Sequence, residues 1–211
     1  MKNNGFLVLN NSPATEDSTF IITGVGRCGT SAVAGCLHIL GVHLGNFDET
    51  IYEDKDLSYL LMFFHDAQRI EHIRTNNAFN KQWGFKFPSL HKHLFPKQLE
   101  HFRNPRLIVV MRDPVSIARR FTISDVDTLG NPKNAIAHAT DEQHLLTRFI
   151  NDSTYPVALV SYEKLLIFPR SIIAGIISFC GLKISEEKLN QAVLSIKANH
   201  EEYVEIFKGE A

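Results

Sequence analysis

The sequence predicts a three-layer α/β/α fold around a mainly parallel sheet, of the P-loop nucleoside triphosphate hydrolase-like kind. Three observations carry this. Short β-branched runs at residues 19–23, 106–111 and 156–161 alternate with stretches of helical periodicity, a pattern that requires crossover connections and a sheet covered on both faces. The first run, Thr19-Phe20-Ile21-Ile22-Thr23, has no charge and suits a strand buried on both sides. It leads at once into Gly24-Val25-Gly26-Arg27-Cys28-Gly29, a glycine-rich turn that opens a helix.

In chain order, residues 1–17 are polar and Asn-rich and read as a flexible lead-in, within which Phe6 to Leu9 is apolar enough to add a strand. After the glycine turn, a helix from about Thr30 to Leu40 carries Val33, Cys36, Leu37 and Leu40 on one stripe, with Gly41 as its stop. Leu57, Leu60, Leu61, Phe64 and Ala67 predict one helix from Asp56 to about Ile73. Trp83 to Phe87 reads as a short strand cut off by Pro88. Arg106 to Met111 is the clearest strand. Arg112-Asp113-Pro114 ends it, and Pro114 suits the first turn of a helix through Phe121. Residues 140–150 carry a helical pattern, and Pro156 to Ser161 another buried strand. Ile173, Ile176, Ile177 and Cys180 form a helical stripe closed by Gly181, and Leu189, Ala192, Val193 and Ile196 form the last one. Residues 18–211 are expected to be one domain. Parallel sheets bind ligands at the carboxyl ends of their strands, which is where the glycine turn, Lys86, Arg112 and Tyr162 fall.

Composition removes several function classes. Lys plus Arg is 22 against 23 Asp plus Glu, so the chain is no polybasic coat for nucleic acid or membrane. No apolar run approaches the ~20 residues that span a bilayer. The polar start lacks the basic flank and apolar stretch of a secretory leader, so a cytoplasmic location is expected. Three cysteines are too few for a disulfide framework or a four-ligand zinc site.

Gly24 to Ser31 has the makings of an anion nest. Backbone N–H groups converge on the turn, and the helix that follows adds its positive end. A nucleotide triphosphatase loop places Lys before the Ser/Thr. Here that position is Thr30, and the cation is Arg27 inside the turn. The next clear strand ends in Arg112, with Asp113 followed by Pro114. Both features argue against a magnesium-dependent phosphoryl transferase.

Four stretches in order resemble the sulfotransferases that use 3′-phosphoadenosine 5′-phosphosulfate (PAPS), particularly bacterial and carbohydrate-type members. They are the loop and helix from Gly24 to Gly45, Trp83-Gly84-Phe85-Lys86-Phe87-Pro88, Leu107 to Ser116, and Val160 to Leu166 with Pro169 and Phe179 to Leu182. The resemblance implies that Gly26, Arg27, Cys28, Gly29, Thr30 and Ser31 hold the 5′-phosphosulfate. It implies that Arg112 and Tyr162 take the 3′-phosphate and that Lys86 stabilises the leaving group. Three positions depart from the family's pattern. Arg120 stands where a serine of the 3′ site is usual, and the helix face decides between Arg120, Arg119 and Ser116. Phe87 stands where Asp is frequent. Cys28 replaces a common serine, and its oxidation is expected to inhibit binding.

Charge is locally uneven. Residues 101–120 hold five arginines against Asp113, which suits a polyanionic co-substrate, with Arg103, Arg106 and Arg119 assigned to the solvated surface. Residues 48–56 hold five acids against Lys55. Sulfuryl transfer needs a base on the acceptor and cations about the transferring group. The resemblance places that base in this acidic segment, with Glu53 first and Glu49 or Asp54 behind it. His93, in His91-Lys92-His93-Leu94, is the rival base. The expected reaction is sulfuryl transfer from PAPS to a hydroxyl or amine of a carbohydrate or small molecule, leaving adenosine 3′,5′-bisphosphate (PAP) and needing no metal, nucleic acid or membrane. The alternatives are a P-loop kinase of a small molecule and a non-catalytic nucleotide-binding protein of the same fold.

Overall fold

The computed structural model describes residues 4–48, 50–63 and 65–196. Five strands form one sheet: β1 Phe6–Leu9, β2 Ser18–Gly24, β3 Gln82–Lys86, β4 Pro105–Met111 and β5 Val157–Ser161, in the order β1-β5-β4-β2-β3. β3, β2, β4 and β5 are mutually parallel, while β1 runs antiparallel to β5, Phe6 facing Val160. The apolar run inside the lead-in therefore becomes an edge strand. Phe20, Ile21 and Ile22 of β2 and Leu107, Ile108 and Val109 of β4 are wholly buried, as strands covered on both faces must be.

The helices are α1 Thr30–Ile39, α2 Lys55–Met62, α3 Asp66–Phe79, α4 Pro114–Ser124, α5 Val126–Leu129, α6 Pro132–Asp152, α7 Tyr162–Ile167 and α8 Pro169–Cys180. Residues 186–196 are helical too and are called α9. Gly181 closes α8 at φ 64, the left-handed cap that glycine favours. The helical pattern at 140–150 is only the later part of α6. That helix starts at Pro132 because Asn131 caps it, its side chain accepting Lys133 N at 2.9 Å, and because proline suits the first turn.

The single helix expected from Asp56 to Ile73 is two, α2 and α3. The ladder slips at the junction, where His65 N bonds Leu60 O, and the Tyr59 ring packs against Phe63 and His65 with centroids 4.7 and 5.7 Å away. Leu57, Leu61, Arg69 and Ile73 are all buried, so the inward periodicity runs through the break and conceals it.

Arg106 is not a surface residue and Arg103 is only partly exposed, each tied to backbone carbonyls, contrary to expectation. Arg106 is buried. It donates to the Ser12 and Pro13 carbonyls at 3.1 and 3.5 Å and lies 4.4 Å over the Phe179 ring. Arg103 donates to the carbonyls of Asn77, Asn80 and Lys81. Both clamp backbone beneath the sheet, at the end away from the glycine turn. No described helix is long and apolar enough to cross a membrane.

Candidate active site

The carboxyl ends of β2, β3, β4 and β5 surround a cavity of about 460 Å³. Gly26, Arg27, Gly29, Thr30, Ser31, Glu53, Lys86, Arg112, Arg120 and Tyr162 line it. Ten of the predicted residues therefore meet in one place. Ile51, Pro88 and Phe121 also line it. None of these three is recognisable as a site residue in the sequence, because an isolated apolar residue in a loop or helix carries no chemical signal.

The turn after β2 is closed by Cys28 N donating to Val25 O at 3.2 Å, with Arg27 at φ 67. Cys28 itself does not line the cavity. Its thiol is buried beneath the turn, and burial pushes it up to about 12. A protonated, inaccessible thiol is a poor target for oxidation, which corrects the expected redox sensitivity. Gly24 is required because a Cβ there would lie 2.4 Å from Cys28 Sγ and 2.5 Å from Val110 O.

Lys86, at the end of β3, is buried and its ammonium is fully engaged. It meets Glu53 Oε1 at 2.7 Å, Ile51 O at 2.8 Å and Ser31 Oγ at 3.2 Å. Burial lowers its pKa, and the Glu53 carboxylate works against that shift. Arg112 follows β4, donates to Arg27 O at 3.0 Å and lies 4.8 Å over the Tyr162 ring. That ring in turn covers Gly29. Of the three polar candidates on α4, Arg120 reaches the cavity and Arg119 and Ser116 do not.

The acidic segment divides by role. Asp54 is buried and caps α2, accepting Asp56 N and Leu57 N at 3.0 and 3.1 Å, with His72 Nε2 at 3.3 Å. Its oxygens are spent on structure, so it is no candidate base. Glu49 lies outside the described residues. His93 does not line the cavity. It packs edge-on against Phe87 at 5.1 Å, and burial lowers its pKa. Among the described residues, Glu53 is the acid that lines the cavity. Asp113 caps α4 through Ser116 N at 2.9 Å. Among the described residues, no group of three or more His, Cys, Asp or Glu side chains is gathered to hold a metal ion.

No family model and no curated protein matches the sequence. Solved structures do resemble the fold. The sulfotransferase domain of the Synechococcus PCC 7002 olefin synthase is 19% identical, with a TM-score of 0.52 over 89% of this chain and 79% of that one. Mouse sulfotransferase SULT7A1, complexed with PAP, is 14% identical, with a TM-score of 0.57 over 90% of this chain and 66% of that one. Sulfotransferase STF1 from Mycobacterium tuberculosis H37Rv is 15% identical, with a TM-score of 0.54 over 84% of this chain and 71% of that one. The chain has the sulfotransferase fold.

Proposed function

We propose that this chain transfers a sulfuryl group from PAPS to a hydroxyl or amine of a carbohydrate or small molecule and releases PAP. The supporting observation is the charge pattern of the cavity: among the described residues, Arg27, Lys86, Arg112 and Arg120 surround it with one acid, Glu53, among them. Four cations gathered around a glycine turn suit a polyanionic nucleotide. In this reading the loop amides, Arg27 and Ser31 hold the 5′-phosphosulfate. Arg112, Arg120 and Tyr162 take the 3′-phosphate. The acceptor oxygen or nitrogen forms its bond to sulfur as the bond from sulfur to the bridging oxygen breaks. Glu53 takes the acceptor's proton, and Lys86 stabilises the charge left on the bridging oxygen. A cytoplasmic site of action belongs to the same reading, supported by three buried, unlinked cysteines.

The kinase alternative lacks its cation: Thr30 occupies the lysine position and is buried. Calorimetric titration with PAP in EDTA tests the proposal. Binding by the parent and its loss in Arg112→Ala are expected. Failure of the parent to bind PAP, or binding of ATP that requires magnesium, overturns it.

A further inference from the structure

Two adjacent residues of α6 reach the chain segments on either side of the glycine turn, Glu142 through side chains and Gln143 through a backbone carbonyl. Glu142 is buried. Its Oε1 meets Lys92 Nζ at 2.7 Å, and its Oε2 meets His91 Nε2 and Ser89 Oγ, each at 3.4 Å. All three partners belong to the strap that follows Lys86. Gln143 Nε2 donates to the Arg112 carbonyl at 2.6 Å. Neighbours on a helix diverge by about 100°, which lets one turn serve two strand ends. β3 and β4 flank β2 in the sheet, so the contacts straddle the turn. The strap is also fastened to the end of β2, with Ser89 N on Gly24 O at 2.7 Å and Thr23 Oγ1 on Phe87 O at 2.9 Å.

We propose that Glu142 and Gln143 are positioning residues, a brace that sets the spacing between Lys86 and Arg112 across the glycine turn. Neither lines the cavity, and both act through the chain segments that carry the two cations. What those cations bind rests on the sulfuryl-transfer reading; the brace itself does not.

The test pairs Gln143→Met, which keeps bulk and removes the donor, with Glu142→Gln. PAP and adenosine 5′-monophosphate, which lacks the 3′-phosphate, are titrated into each protein, and native-state amide exchange is followed. In Gln143→Met, affinity for PAP should fall about tenfold while that for the monophosphate stays within about twofold, since only Arg112 is misplaced. In Glu142→Gln, the Ser89 and Leu90 amides should exchange faster than in the parent. Equal loss of both nucleotides, or none, overturns the Arg112 half; unchanged exchange overturns the strap half. If the parent binds neither nucleotide, the functional reading fails, and exchange still decides the brace: faster exchange of the Ser89 and Leu90 amides in Glu142→Gln, and of the Asp113 amide, which donates to Glu163 Oε1 at 2.8 Å, in Gln143→Met, supports it, and unchanged exchange overturns it.

Discussion

Gly29→Ala isolates the contact between the glycine turn and Tyr162. Gly29 has φ +97, and a Cβ there would lie 2.3 Å from Tyr162 Cδ2 and Cε2. The backbone term costs an L-residue about 1–2 kcal/mol. Moving the ring away from the Arg112 guanidinium, now at 4.8 Å, adds about 0.5–1 kcal/mol. The variant should therefore lose about 1.5–3 kcal/mol in urea denaturation. In a Tyr162→Ala background the ring is gone and only the backbone term remains, so the same substitution should cost about 0.5–1 kcal/mol less. Equal losses in the two backgrounds would refute the contact, and no loss in either would refute the backbone argument as well.

Glu142 should make stability acid-sensitive. Burial opposes its ionisation, but hydrogen bonds from His91 and Lys92 prevail and bring its pKa down from 4.5 to about 2. Between those values the unfolded chain binds more protons, so this stabilisation is complete above the upper value and is lost as pH falls toward the lower. The stability gap between the parent and Glu142→Gln should narrow by on the order of 2 kcal/mol across that window; a constant gap in denaturation curves would contradict the assignment. Cys28, Cys36 and Cys180 are buried, so an aromatic disulfide reagent should label none of them in the native protein and all three in denaturant. Rapid native labelling would show that the Cys28 pocket opens.

Much of the sheet was legible because β2, β4 and β5 are β-branched runs, and because Gly24, Pro88 and Pro114 mark sharp ends to β2, β3 and β4. The cavity was legible because chemistry clusters at those ends. Other features were hidden for physical reasons. The break between α2 and α3 leaves the inward periodicity intact. Arg106 looks like any charged residue at a strand start, and only the tertiary packing of residues 12–13 and the Phe179 ring against it buries it. Asp54 and Glu53 are adjacent acids, and only the cap geometry separates them. Glu142 and Gln143 read as the polar face of a helix until α6 is placed beside the strap.

The polar N-terminal segment has a practical consequence for anyone shortening the chain. Phe6–Leu9 covers the outer margin of β5, and Phe6 packs against Gly175 on α8. Deleting the first seventeen residues would strip a hydrogen-bonding rim bare and leave Arg106 without the carbonyls of Ser12 and Pro13. What looks like a dispensable tag in one dimension is part of the folded body in three.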